Sequence, residues 1–180
     1  MGEKAATQLL KKSLASPNLV DDTQDATALL ESLTYFPLAI AQAAAYINEN
    51  GITLSDYSLL LEQKEEETID ILSEEFKDYG SYRDVKNPVA TTWLISFERI
   101  QRSDPLAAGY LSFIACVNPR DIPESLLPPG PSRNQEVKAI GTLAAYSFIS
   151  RRPVEFSLDL HRLVHLATRN WLRQEEMLSH

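Results

Sequence analysis

The amino-acid sequence predicts a mainly α-helical chain, a helical bundle followed by a smaller unit with one β-hairpin. Three observations carry that prediction. Apolar residues recur at three- and four-residue steps through most of the chain before Ser147, and helix-start signals such as Asp104-Pro105 and Ser132 with Gln135 precede several of those runs. Strict apolar–polar alternation occurs only between Ser147 and Leu160. Turn formers gather from Asp78-Tyr79-Gly80-Ser81 to Asn87-Pro88, where periodicity lapses, so the sequence divides into domains 1–80 and 81–180.

In the first domain, Leu9, Leu10 and Leu14 form one apolar stripe, and Ala26, Leu29, Leu30 and Leu33 form the next. Asp21, Asp22 and Asp25 gather near the positive end of the second helix, where carboxylates are favoured. Pro37 suits the first turn of a third helix, and Asn50-Gly51 suits its end. From Leu38 to Ile47 that helix is apolar on nearly every side, which predicts the most buried element. A fourth helix is expected from Ser55 with Leu59 and Leu60 on its apolar face. The acidic run Glu65-Glu66-Glu67 then leads to a short helix with Ile69, Leu72 and Phe76.

In the second domain, Asn87 can cap a helix with Pro88 in its first turn, and Val89, Trp93, Phe97 and Ile100 follow at near-helical spacing. Asp104-Pro105 opens another helix with Leu106, Tyr110, Leu111 and Ile114. The proline-rich loop from Asn118 to Pro131 has room for one short turn at Glu124 to Leu127. Ser132 and Gln135 then fit a capping box that opens a helix with Val137, Ile140 and Ala144 inward. The hairpin runs from Ser147 through a turn at Arg151-Arg152-Pro153 to Leu160, with Phe156, Leu158 and Leu160 on one face. A last helix from about His161 or Arg162 toward Met177 buries Leu163, Val164, Ala167 and Trp171. Three helices, a hairpin and a closing helix look like a winged-helix arrangement.

Composition narrows the function classes. The 180 residues carry 17 Lys and Arg against 25 Asp and Glu, a net charge of -8 that disfavours nucleic acid and anionic membranes. The single cysteine, Cys116, sits in an apolar run, has no intramolecular disulfide partner and suits a reducing compartment; it reads as a buried, inert thiol. No secretory signal pattern and no apolar stretch near the ~20 residues needed to cross a bilayer is visible, so a cytoplasmic location is expected.

Catalytic chemistry finds little support. The glycines at 2, 51, 80, 109, 130 and 141 open no G-x-x-x-x-G-K-[ST] loop, so the chain lacks a Walker A site and is not expected to be an enzyme by itself. His161 and His165 are four apart, yet Arg162 stands where a zinc protease needs its general base, and no metal is expected. No G-x-S-x-G elbow surrounds a serine. The helix before the hairpin has only Glu136 and Lys138 as charges between Asn134 and Tyr146, poor equipment for reading a DNA groove. Arg151, Arg152, Arg162, Arg169 and Arg173 could touch phosphates, diluted by Glu155, Asp159, Glu175 and Glu176.

Two segments carry a resemblance. Phe36-Pro37-Leu38-Ala39, continuing to Ile47, resembles the "GLPLA" region of NB-ARC proteins, and Leu160-His161-Arg162-Leu163-Val164 resembles their "MHD" region. Between them, Trp93 to Ile100, Ile122 to Pro128 and Ala139 to Ile149 are similar to fungal NOD-like receptors of the STAND class, in which an NB-ARC module precedes tetratricopeptide repeats often described as kinesin-light-chain-like. The resemblance spans essentially the whole chain and implies an ARC1-like domain at 1–80 and a winged-helix, ARC2-like domain at 81–180.

It implies further that Pro37 and Leu38 lie at the adenine and ribose of ADP, and that His161 approaches its β-phosphate with Arg162 beside it. ADP or ATP would be held only in the full NB-ARC module. The implied partners are the P-loop domain and the tetratricopeptide repeats of the same polypeptide, with a homo-oligomer on activation, no nucleic acid and no membrane. Tyr35-Phe36 replaces Gly-Leu, and Arg162 stands where the MHD pattern is acidic. The implied role is a regulatory fragment of a signal-transduction protein that relays nucleotide state. A constitutive helical spacer without nucleotide sensing, or a winged-helix DNA-binding regulator, are the alternatives.

Overall fold

The computed structural model describes residues 1–21, 23–72, 88–152 and 154–178. These residues are mainly helical, with one small antiparallel sheet, as the sequence predicts. Contacts cluster into two units: one comprises Met1–Ile69 with residues 88–96, and the other takes in the chain from Phe97. The expected domain boundary between residues 80 and 81 lies outside the described residues, as do the expected cap Asn87 and Phe76.

In the first unit, α1 (Glu3–Ser13), a 3-10 turn (Pro17–Val20), α2 (Thr23–Ser32) and α3 (Pro37–Asn50) precede α4 (Leu54–Leu72). The core takes Leu10 and Leu14 from the first stripe and all of Ala26, Leu29, Leu30 and Leu33 from the second. Helix α3 buries Ala39, Ile40, Gln42, Ala43, Ala44, Ala45 and Ile47. Its alanines let neighbouring helices approach closely, since interaxial distance follows side-chain size at the contact. Asn48 ties α3 to the end of α1: its Oδ1 accepts the Ala15 N–H at 2.7 Å, and its Nδ2 donates to the Ser13 carbonyl at 2.7 Å.

The fourth helix departs from expectation in three ways. It begins one residue early, because Thr53 and Asp56 form a reciprocal box: the Asp56 N–H donates to Thr53 Oγ1 at 3.1 Å, and the Thr53 N–H donates to Asp56 Oδ2 at 3.1 Å. Its inward face is Leu54, Tyr57 and Leu61, while Leu59 is exposed. The 3.6-residue repeat counted from that start turns Leu59 outward. The helix also runs unbroken past the acidic residues to Leu72.

Helix α5 (Pro88–Ser103) buries Val89, Trp93, Phe97 and Ile100. In the second unit, α6 (Pro105–Ile114) is capped by Asp104, whose Oδ1 accepts the Ala107 N–H at 3.2 Å and whose Oδ2 accepts the Thr142 hydroxyl at 2.8 Å. After β1 (Ile122–Pro123) and a 3-10 turn (Glu124–Leu126) comes α7 (Arg133–Ala145), with Ser132 Oγ accepting the Gln135 N–H at 3.3 Å. Strands β2 (Ile149–Arg152) and β3 (Ser157–Leu160) lead to α8 (Arg162–Leu178). The strand order is β1-β3-β2, antiparallel throughout, with Ile122 opposite Leu158 and Ile149 opposite Leu160.

Four expectations for this unit are corrected. Ile122-Pro123 forms strand β1 where a loop is expected, because two residues hold no periodicity. Helix α7 buries Ala139, Ile140 and Leu143, leaving Val137 exposed. Arg151 and Arg152 pair in β2 rather than forming the turn, which puts the described turn residues at 154–156 and leaves Phe156 64% exposed at φ 48°. The predicted Cys116 burial also fails, since that thiol is exposed two residues past the end of α6. The Phe97 and Trp171 rings meet edge to face at 4.8 Å, a geometry their quadrupoles favour. Among the described residues, no helix is long and apolar enough to cross a membrane.

Gly51 ends α3 at φ 61°, and its N–H donates to the Ile47 carbonyl at 2.9 Å. Gly51→Ala would force a Cβ into that left-handed conformation, so it is expected to cost about 1 kcal/mol in urea denaturation.

Candidate functional site

The Pro37–Leu38 segment starts from an unusual backbone. Thr34 and Tyr35 take φ of 50° and 53°, the left-handed region that disfavours β-branched and bulky residues. Two hydrogen bonds hold it: the Tyr35 N–H donates to the Leu30 carbonyl and the Phe36 N–H to that of Leu33, both at 3.0 Å. Tyr35 stands where the GLPLA pattern has glycine, so the glycine-type backbone persists without glycine. Phe36 is the N-cap of α3 and offers no side-chain cap. Pro37 occupies the first turn, where its missing N–H leaves no orphan donor, and its ring is exposed; Leu38 is half-buried.

His161 and Arg162 sit where β3 passes into α8. The Leu160 N–H donates to the Pro119 carbonyl at 2.7 Å and the His161 N–H to the Phe148 carbonyl at 3.4 Å, which fixes the chain on both sides of the junction. His161 is the residue before the helix, and its Nδ1 accepts the Leu163 N–H at 3.2 Å. The imidazole thereby does the work usually given to Ser, Thr, Asp or Asn at a helix start. Partial loss of water around the ring holds its pKa below the usual histidine value, although its outer edge is accessible. Arg162 opens the helix with an exposed side chain.

His165, one turn on, is half-buried against the Ala115 and Val117 carbonyls, and burial lowers its pKa too. The two imidazoles thus have different surroundings. Among the described residues, no three His, Cys, Asp or Glu side chains converge as a metal-ligand set. Pro37 and Leu38 belong to the first unit, and His161 and Arg162 to the second.

The hairpin arginines are held by carboxylates. Arg151 meets Glu124 through two bonds, Nε to Oε1 at 2.6 Å and Nη2 to Oε2 at 3.1 Å. Glu124 has a side chain only 5% exposed, and Arg133 approaches it at 3.9 Å. Arg152 binds Asp159 at 2.7 Å and Glu155 at 2.8 Å and also contacts Asp121. Sequence reasoning missed Glu124, because its partner is 27 residues away and no local pattern links a proline-rich loop to a strand. Arginines already engaged in this way present less positive charge to a phosphate backbone.

Over 96% of its length the chain is 48% identical to a protein of Hyaloscypha variabilis named a nucleotide-binding leucine-rich repeat (NLR)-like protein. The chain spans 18% of that relative's length. No protein-family profile matches the chain, and no solved structure matches it.

Arg151→Ala would strand the Glu124 carboxylate in a poorly hydrated place. Allowing for the partial exposure of Arg151, the expected destabilisation is about 2 to 3 kcal/mol by chemical denaturation. The double change Glu124→Leu with Arg151→Leu should cost less than Arg151→Ala alone, because it leaves no unpaired charge.

Proposed function

We propose that the chain is the ARC1-like plus winged-helix, ARC2-like part of the NB-ARC module of a NOD-like receptor of the STAND class. In this reading it relays the ADP or ATP state of a P-loop domain to a repeat array and to oligomerisation. The observation that carries the reading is 48% identity to an NLR-like protein over nearly the whole chain. The topology of the second unit supports it. Helix α6 precedes β1, α7 lies between β1 and β2, and β3 is the central strand, which is the order of a winged helix.

The residues present fit a nucleotide diphosphate in chemical type. With Nδ1 of His161 committed to the Leu163 amide, a neutral ring carries its proton on Nε2, and phosphate oxygens are acceptors. Pro37 offers an exposed, donor-free surface of the kind a purine or ribose can lie against, with Leu38 behind it. Arg162 adds a cation at the start of α8. A bound nucleotide supplies phosphate charge and an aromatic face; the chain's part is to bind and orient, with no bond-breaking step of its own. The repeats are tetratricopeptide in the sequence resemblance, whereas the relative's name specifies leucine-rich repeats. The relay requires only an array whose exposure depends on nucleotide state.

The test uses a chain extended upstream through a P-loop domain. His161→Ala and Pro37→Ala are each expected to weaken ADP binding by roughly tenfold in calorimetry, the worth of one good hydrogen bond or packed ring. Unchanged ADP affinity and unchanged assembly in both variants would reject the relay and leave a constitutive helical spacer. Duplex binding that Arg151→Ala and Arg152→Ala abolish would point to a DNA regulator instead, a reading that the carboxylate partners of both arginines weaken.

A further inference from the structure

We propose that His161 is a tautomer-locked helix cap: its Nδ1 serves the Leu163 amide of α8, so its single proton is confined to Nε2 and the ring meets other groups as one neutral N–H donor. A second proton on this ring breaks the cap. The use of that donor toward an anionic oxygen rests on the nucleotide reading above; the lock itself does not.

The argument begins with the ring's inventory. A neutral imidazole has one donor and one acceptor nitrogen, and a protonated one has two donors. The 3.2 Å bond from the Leu163 N–H requires Nδ1 to be the acceptor. Leu163 is the second residue of α8, and its amide is one of the four that a helix start leaves without an intrahelical acceptor. The main chain also holds the ring in place, since the His161 N–H donates to Phe148 and its carbonyl accepts the His165 N–H at 2.9 Å. Protonation at Nδ1 would set one N–H against another and place a cation at the positive end of a helix of 17 residues.

The surrounding charges reinforce this bias. On α8, Arg162 is the next residue and His165 is one turn away, so both neighbours are cationic or can become so. On β3, Asp159 is the nearest carboxylate in sequence, but the Asp121 N–H and Arg152 already engage it. The segment before β1 contributes the Pro119 carbonyl, used by Leu160, and Arg120, which acts on Asp159. The residue before β2, Phe148, contributes a carbonyl that the His161 main chain uses. Desolvation of the ring lowers its pKa, in the same direction as the geometry. A lowered pKa in the fold means that the cap's contribution is complete above the unfolded value of about 6.5 and is lost as pH falls through the folded value.

Two-bond 1H–15N correlation spectra of the 180-residue chain, labelled at its three histidines, read the tautomer directly. From about pH 8 to about pH 5, the His161 ring is expected to hold a single Nε2–H form until it protonates below about 6.5. Protection of the Leu163 amide, taken relative to its base-catalysed intrinsic exchange rate, should fall along the same curve. His161→Asn supplies a cap oxygen that does not titrate, so Leu163 should stay protected throughout; His161→Ala should raise its exchange roughly tenfold at neutral pH. An Nδ1–H form, a tautomer mixture, or ring protonation that leaves Leu163 unchanged overturns the proposal. So does a Leu163 exchange step that persists in His161→Asn, a variant that keeps the question decidable if His161→Ala fails to fold. No nucleotide enters these measurements, so failure of the ADP experiment overturns the relay alone, and failure here overturns the lock alone.

Discussion

The start of α8 depends on a knot of three hydrogen bonds: Leu160 to Pro119, His161 to Phe148, and Leu163 back to the His161 ring. These bonds join three stretches of backbone distant in sequence. Together they satisfy the last residue of β3 and one of the orphan amides that begin a helix. Because the third bond ends on a titratable ring, the orientation of the side chain and the integrity of the helix start become the same variable. A serine here would cap equally well without offering a second, outward-facing nitrogen.

The first unit solves a different problem around α3. An alanine-rich helix buried on most sides can be packed closely, but it needs a sharp approach at one end and a stop at the other. Gly51 makes the stop cheaply at φ 61°, whereas Thr34 and Tyr35 make the approach at a cost that two backbone hydrogen bonds offset. The approach leaves the Pro37 ring at the surface and the Phe36 side chain outside the core, while Ala39, Ile40 and Gln42 to Ala45 are buried.

Charge around the hairpin of the second unit is organised in pairs. A chain of net charge -8 could be imagined as an acidic surface with scattered bases. Instead, Arg151 and Glu124 join β2 to the turn after β1, and Arg152 gathers Asp121, Glu155 and Asp159 around the hairpin. The bidentate pair with the buried Glu124 fixes relative position more than it adds stability, because the desolvation of such a pair largely cancels its attraction.

The sequence by itself determined the helices, their proline and serine starts, the glycine stop of α3, the hairpin, and the stripes at Leu29 to Leu33 and Val89 to Ile100, since each rests on contacts within a turn or two of chain. His161 was legible as a boundary residue for the same reason. Tertiary structure alone decided that Val137 and Phe156 face outward, that Ile122-Pro123 forms a strand, and that Glu124 holds Arg151. It also decided the backbone bonds from Pro119 and Phe148 that hold the β3–α8 junction, at which the His161 ring meets the Leu163 amide two residues on. Those outcomes depend on which distant backbone supplies a donor or acceptor, and on a shift of one or two residues in where a turn begins; local periodicity carries no record of either.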